Sequence, residues 1–159
     1  MTLTLHDIKV WNTGEVIDLI VPSDADETVD ASAMTIAPGF EDPHVHFRDP
    51  GQTYKESMVS GCAAAASGGY TNVLIMPNTV PAMDGVKVTA GEPGASEVLD
   101  AGFDTVIDYL QHYEQAHDVT LPVRYDLCVC ASNGRAGKEA TDVADWIGYL
   151  PEHDDDNKD

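Results

Sequence analysis

The chain has 159 residues and a mass of 17.1 kDa, with 43% hydrophobic and 23% charged residues. This size and composition predict a folded globular protein of one domain or two small ones, and they exclude a disordered or collagen-like chain. Acidic residues outnumber basic ones by 28 to 8, and the resulting charge of −20 disfavours nucleic acid and anionic membranes as partners. The chain has no apolar run of the roughly 18 residues that cross a bilayer and no secretory signal, so we expect a cytoplasmic protein.

The first part of the sequence predicts a small β subdomain over residues 1–36. Leu3 to Trp11 and Val16 to Val21 read as short strands, joined by a tight turn at Asn12-Thr13-Gly14. The acidic and polar segment 22–30 predicts a connecting loop, after which an extended apolar pattern resumes.

Strand and helix patterns alternate over residues 37–150. The predicted strands are Phe40 to Phe47, Tyr70 to Met76 and Val123 to Ala131. The first predicted helix is Tyr54 to Ser67. Two more helices are predicted from apolar residues at helical spacing, one from Phe103, Val106, Ile107 and Leu110 and one from Val143, Trp146, Ile147 and Leu150. A loop rich in glycine and proline spans 78–94. This order predicts an α/β fold with right-handed βαβ units around a parallel sheet. A closed (β/α)8 barrel needs about 250 residues, so the sheet is either open or the beginning of a longer barrel. Residues 151–159 predict an acidic, solvated tail.

The three cysteines are Cys62, Cys128 and Cys130. Their odd number, without a secretory signal, disfavours a disulfide framework. Cys128 and Cys130 alternate within an apolar run, which predicts that both lie on one face of a strand. We interpret them as small core residues, because no second pair at zinc-ribbon spacing accompanies them.

The most informative stretch runs from Asp42 to Arg48. A strand has a period of two residues, so His44, His46 and Arg48 are predicted to point to one face. Two imidazoles at the end of one strand can bind a single zinc ion at about 2.0 to 2.1 Å. Taken alone, the His-x-His pattern is more typical of a solvated or packed pair than of a metal site.

A much longer motif surrounds these histidines: APGFEDPHVHFRDPGQ over residues 37–52. It resembles the metal signature of dihydroorotases, which belong to the amidohydrolase superfamily. The resemblance continues through Tyr54-Lys55-Glu56, the alanine-rich helix, Gly68-Gly69-Tyr70-Thr71 and Met76-Pro77-Asn78-Thr79, and it is dense only over residues 37–84. It implies a TIM-type (β/α)8 barrel, of which this chain would hold the amino-terminal portion, a small β subdomain followed by the first three βα units.

The resemblance also implies a set of site residues and a reaction. His44 and His46 would bind the more buried ion of a site with one or two zinc ions, and Arg48 and Asn78 would hold the carboxylate of dihydroorotate. A bridging carboxylate or carboxylated lysine, further histidines and a catalytic aspartate would come from later strands, so the catalytic residues stay unassigned. The implied reaction is the zinc-dependent, reversible cyclisation of N-carbamoyl-L-aspartate to dihydroorotate in de novo pyrimidine biosynthesis. We expect the 159-residue chain alone to be inactive.

Two alternatives remain open. An allantoinase or hydantoinase-type cyclic amidohydrolase would share the paired histidines, although Arg48 and Asn78 favour a dihydroorotase. The other alternative is a non-catalytic dihydroorotase-like scaffold that binds aspartate transcarbamoylase. The missing later strands favour this scaffold, whereas the retained site residues disfavour it. Assembly into a homo-oligomer also stays open. The remaining histidines are predicted to lie at the surface: His6, His112, His117 and His153.

Overall fold

The computed structural model describes residues 1–142 and residue 144. The chain divides into two compact units, Met1–Gly39 and the residues from Phe40 onward. The predicted last helix around Val143, Trp146, Ile147 and Leu150, and the predicted acidic tail at 151–159 with His153, lie outside the described residues. Among the described helices, none has the length and apolar character needed to cross a membrane.

The first unit contains the predicted hairpin. Strands β1 (Thr2–Val10) and β2 (Val16–Pro22) pair antiparallel, and the turn between them includes Gly14 with a φ of +71°. A glycine suits this left-handed backbone because it has no Cβ. The prediction of two strands and a tight turn is confirmed.

Two further strands pair parallel with β1. They are β3 (Glu27–Asp30) and β4 (Thr35–Ile36). The prediction of a loop over 22–30 is therefore wrong for its last four residues, and also for Pro22, which ends β2. A short acidic segment has no apolar alternation to mark it as a strand; it becomes one because β1 supplies backbone partners, with Leu3 opposite Glu27.

The second unit is built on a parallel three-stranded sheet. Its strands β5 (Phe40–Val45), β6 (Tyr70–Ile75) and β7 (Arg124–Leu127) lie in the order β5-β6-β7. The predicted α/β class with a parallel sheet is confirmed, and the described residues do not form a closed barrel. Parallel strands end at the same edge of a sheet, so the segments that follow β5 and β6 are neighbours.

The strand β7 is shorter than predicted, which changes the placement of two cysteines. It ends at Leu127, so Cys128 and Cys130 follow the strand and do not lie on one of its faces. The Cys128 amide still donates to Ile75 O, whereas the Cys130 amide donates to Met83 O. Cys130 is buried and Cys128 is half-buried, so the prediction of a core residue holds fully only for Cys130.

Four helices connect and follow these strands: α1 (Met58–Ser67), α2 (Ala95–Asp100), α3 (Val106–Gln111) and α4 (Tyr113–His117). Helix α1 begins later than predicted, because Ser57 caps it: the Ser60 amide donates to Ser57 Oγ and the Ser57 amide donates to Ser60 Oγ. Helix α2 lies outside every predicted helix, since six residues are too few to show a helical period. A short 3-10 turn follows at Asn133–Arg135.

The core of the second unit is formed where helices pack against β6. One cluster of buried side chains holds residues from α1, β6 and α3, chiefly Met58, Cys62, Val73, Ile75, Ile107 and Leu110. Tyr109 of α3 belongs to the same cluster. This packing fixes the framework that carries the loops after β5 and β6.

Candidate metal centre

The paired histidines lie at the end of β5. His44 Nε2 and His46 Nε2 are 3.1 Å apart, and the two rings meet edge to face with centroids 4.9 Å apart. Two nitrogen ligands of a tetrahedral zinc ion, each at about 2.0 to 2.1 Å, are separated by about 3.3 to 3.4 Å. The structure therefore brings the two predicted ligands together at nearly this separation, and neutral imidazole is a normal zinc ligand.

This pair does not form a complete metal site by itself. Within residues 1–142 and 144, no group of three or more His, Cys, Asp or Glu side chains is arranged to hold a metal ion. A structural or catalytic zinc ion takes at least three protein ligands. His44 and His46 could therefore supply only two of them.

Asn78 contacts the histidine pair directly. It follows β6 by three residues, and its Oδ1 lies 2.8 Å from His46 Nδ1. The sequence predicted Asn78 as a substrate-binding residue and did not predict this hydrogen bond. The signal that could have found it is the parallel order of β5 and β6, which places the segments after both strands side by side.

The predicted strand over Phe40 to Phe47 is two residues too long, because β5 ends at Val45. Arg48 therefore lies in the loop after β5 and not on a face of the strand, and its backbone is fixed in that loop. Its amide donates to Glu56 O at 3.1 Å, and its carbonyl accepts from the Gln52 amide at 2.8 Å. The side chain is half-buried, and its guanidinium makes no hydrogen bond or ion pair within the described part of the chain. A held backbone with an unpaired guanidinium is suited to binding an anion.

A buried carboxylate that the sequence did not single out anchors this loop. Asp49 is 2% exposed, and it accepts hydrogen bonds from the Tyr109 hydroxyl at 3.1 Å, the Tyr113 hydroxyl at 2.9 Å and the Met58 amide at 3.3 Å. Burial, followed by the negative charge of Asp49, raises the pKa of both tyrosines above the ordinary value, so their hydroxyls remain protonated donors. Asp49 thus ties the loop that carries Arg48 to α1, α3 and α4. No sequence pattern links it to tyrosines 60 and 64 residues away.

His117 belongs to the same hydrogen-bonded network. Its Nε2 lies 2.9 Å from the Tyr109 hydroxyl, and its ring centroid is 4.2 Å from that of Tyr113. The predicted surface position of His117 is confirmed, but the ring is packed on one side. His6 and His112 are exposed as predicted and lie beside aspartates.

The loop after β5 also packs closely on the loop after β6. The Gly51 amide donates to Glu97 Oε2 at 2.9 Å, and the Val80 amide donates to Pro50 O at 3.3 Å. A Cβ placed on Gly51 would lie 1.8 Å from Val80 O, and one on Gly94 would lie 2.0 Å from the same oxygen. These close backbone approaches hold the segment of Arg48 next to the segment of Asn78.

Two of the cavities that the described residues form lie beside the strands of the second unit. One of about 880 Å³ runs along β7 and includes Ile107 and Leu121 in its lining. The other, of about 320 Å³, lies between β5 and α1 and is bordered by His46 and Gly61. Neither brings the predicted site residues together, so the candidate site is the exposed edge of the sheet where β5 and β6 end.

The residues that form this edge lie in a region that is similar to known proteins. Residues 35–94, which include all four predicted site residues, match the amidohydrolase family. The chain is 60% identical over 62 residues to the dihydroorotase of Sulfurihydrogenibium sp. (strain YO3AOP1), covering 39% of this chain and 15% of that protein. It is 36% identical over 118 residues to the dihydroorotase of Lactococcus lactis, covering 67% and 28%, and 46% identical over 89 residues to that of Geobacter metallireducens, covering 48% and 21%.

The resemblance to dihydroorotases that the motif predicted is confirmed by these relatives. The chain spans between 15% and 28% of the length of the three dihydroorotases named above. The matched region coincides with the segment where the motif is densest, and it contains both strands that form the candidate site.

Proposed function

We propose that this chain is part of a dihydroorotase, a hydrolase that acts on a cyclic amide C–N bond and interconverts N-carbamoyl-L-aspartate and dihydroorotate. The observation that carries the proposal is the pair of Nε2 atoms 3.1 Å apart, inside the region that matches the amidohydrolase family. Residues 37–150 would be the first three βα units of a (β/α)8 barrel, with residues 1–36 as its small β subdomain and 151–159 as an acidic tail. Zinc dependence, the pyrimidine pathway and a cytoplasmic location are parts of the same proposal.

Each site residue has a role in this proposal. His44 and His46 would hold zinc through their Nε2 atoms. A zinc ion held there would supply a Lewis acid that activates water as a nucleophile and polarises the amide carbonyl. Arg48 would offer two parallel N–H donors to the substrate carboxylate, and the Asn78 NH2 group would donate a further hydrogen bond. The base that moves the proton of water is not assigned among the described residues.

The alternatives differ from this proposal in what they require of Arg48. A hydantoinase or allantoinase-type enzyme acting on a neutral ring has no carboxylate for Arg48 to bind. A scaffold that binds aspartate transcarbamoylase needs neither the histidine pair nor an unpaired guanidinium. The relatives are dihydroorotases, and the Arg48 side chain has no partner among the described residues, so both observations favour the dihydroorotase.

The experiment that tests the function compares two substrates. In the complete gene product, Arg48→Ala should lower kcat/KM for dihydroorotate by a factor equivalent to about 2 to 4 kcal/mol, because a carboxylate loses its charged partner. Arg48→Lys should recover only part of this loss, since a point charge lacks the bidentate geometry. A hydantoin should be turned over at an unchanged rate relative to the unmodified protein.

Controls make the comparison specific. Arg124→Ala removes an exposed arginine of β7 and should leave kcat/KM for both substrates unchanged, with zinc content equal in all proteins. Equal losses on dihydroorotate and hydantoin in Arg48→Ala would show that Arg48 supports the fold or the metal, and would contradict the proposed substrate. Ordinary turnover by the 159-residue chain alone would contradict the proposal that the chain is an incomplete barrel.

A further inference from the structure

We propose that Asn78 is a positioning residue: its carbonyl oxygen holds His46 with the ring proton on Nδ1, so that Nε2 is left as a free lone pair for a metal ion. This inference rests on the proposed function and deepens it. It assigns to Asn78 a role toward the metal ligand that is separate from the role toward the substrate.

The hydrogen bond determines the tautomer of His46. His46 Nδ1 and Asn78 Oδ1 are 2.8 Å apart, and an amide oxygen can only accept, so the proton of this bond belongs to Nδ1. In the neutral form of an imidazole only one ring nitrogen carries a proton, so a proton on Nδ1 leaves Nε2 with its lone pair. The nitrogen that faces His44 is thus the one prepared to bind a metal.

The two histidines are not equivalent under this assignment. His44 Nε2 lies 3.1 Å from His46 Nε2, and only the His46 ring has a described hydrogen-bond partner on its Nδ1. His46 already has its ligating tautomer.

The segment around Asn78 is held in place, which keeps the amide oriented. The next residue, Thr79, is buried, and its hydroxyl donates to Pro81 O at 2.7 Å. The Val80 amide donates to Pro50 O at 3.3 Å, which joins this segment to the loop after β5. Asn78 therefore meets His46 in a fixed segment.

An amide is the side chain that suits both neighbours. An aspartate at position 78 would also accept from His46 Nδ1, but its charge would repel an anionic substrate and it would offer no donor. The Asn78 NH2 group makes no hydrogen bond within residues 1–142 and 144, so it is free to donate while Oδ1 accepts. The two ends of one amide can therefore serve the metal ligand and the carboxylate separately.

The test measures zinc affinity in the complete gene product by chelator competition, with no substrate present. Asn78→Leu removes both functions and should lower zinc affinity by about 10-fold to 100-fold, the usual effect of losing the partner of a ligating histidine. Asn78→Asp keeps an acceptor and should retain the zinc affinity of the unmodified protein. Asn72→Leu is the matched control on β6, because it removes a hydrogen bond to Asp126 at 3.0 Å without contacting the histidines.

The substrate readout should divide the variants differently. Both Asn78→Leu and Asn78→Asp should raise KM for dihydroorotate, since both lose the NH2 donor. Asn72→Leu should leave both zinc affinity and KM unchanged. Unchanged zinc affinity in Asn78→Leu would overturn the inference, as would an equal loss of zinc affinity in Asn78→Leu and Asn78→Asp.

A spectroscopic measurement tests the tautomer directly in the unmodified protein. In the metal-free, unmodified protein with ¹⁵N-labelled histidine, His46 should show a protonated Nδ1 and an unprotonated Nε2, with its signals assigned by their loss in His46→Gln. A protonated Nε2 would overturn the inference. If His46 has the expected tautomer and zinc binds but dihydroorotate is not turned over, the proposed function fails and the inference about Asn78 stands. If dihydroorotate is turned over but His46 has the opposite tautomer, the inference fails and the proposed function stands.

Discussion

Replacing the buried carboxylate Asp49 should strongly destabilise the second unit. In Asp49→Ala, the Tyr113 hydroxyl and the Met58 amide lose the partner that they have at 2.9 Å and 3.3 Å. Tyr109 keeps a partner, because its hydroxyl also lies 2.9 Å from His117 Nε2. Two buried donors are therefore left unsatisfied, at a cost of about 1 to 3 kcal/mol each. The expected loss in the free energy of unfolding is about 2 to 6 kcal/mol.

The loss in the free energy of unfolding in Asp49→Asn should be less than half of that in Asp49→Ala. The amide has the same shape as the carboxylate, its oxygen accepts one hydrogen bond, and a tyrosine hydroxyl can rotate to accept from the NH2 group. Urea unfolding of the 159-residue chain, followed by circular dichroism at 222 nm, measures both effects. The described helices all belong to the second unit, so this signal reports on the unit that holds Asp49.

Asp104→Ala is the matched control, because it removes an aspartate whose only described ion pair is at the surface. Its carboxylate lies 2.7 Å from Lys87 Nζ, with the two side chains 67% and 78% exposed. Exposed pairs of this kind contribute about 0 to 1 kcal/mol. If Asp49→Ala costs no more than Asp104→Ala, the buried network does not anchor the loop, and the reasoning from unsatisfied donors is wrong.

Three further predictions address the alkaline limit, the loop contact and the metal. Burial raises the pKa of Tyr125 from 10.0 to about 12, so its contribution to stability is complete below about pH 10 and is lost as the pH rises through 12. The urea midpoint should therefore fall less between pH 8 and pH 11 in Tyr125→Phe than in the unmodified chain. An equal fall in the two proteins would refute this prediction. Gly51→Ala should lower the melting temperature more than Gly102→Ala. Both glycines have a φ of +89°, but only an alanine at position 51 would place its Cβ against Val80 O. Equal decreases in melting temperature would mean that the backbone strain alone matters. His46→Ala in the complete gene product should lose bound zinc by metal analysis, and undiminished zinc would remove His46 from the metal site.

Much of the local structure could be predicted from the sequence. The apolar run over residues 70–76 predicted β6, and the tight turn in the first unit was predictable from Asn12-Thr13-Gly14. The strand period predicted that His44 and His46 would share a face, and their Nε2 atoms do converge. Their role as metal ligands stays a prediction, as do the substrate-binding roles of Arg48 and Asn78.

Elements without a strong local pattern could not be predicted in this way. Strand β3 is acidic, and it exists because β1 offers it a line of backbone donors and acceptors. Helix α2 has only six residues, which are too few to show a helical period. Its Ala95 and Val98 side chains are buried in the folded unit, and this burial is not visible in the local sequence. Both depend on residues distant in the sequence, which a local window does not include.

The sequence by itself indicated the candidate residues for the chemistry, because His44, His46, Arg48 and Asn78 lie in a long motif that resembles that of dihydroorotases. Only the tertiary structure decided how these residues are held. The hydrogen bond between His46 and Asn78 spans 32 residues, and the hydrogen bonds that Tyr109 and Tyr113 donate to Asp49 span 60 and 64. Such contacts depend on the parallel pairing of β5 with β6 and on the packing of α3 and α4. A hydrogen bond requires its atoms within about 3 Å, and that proximity arises only when the strands and helices are assembled.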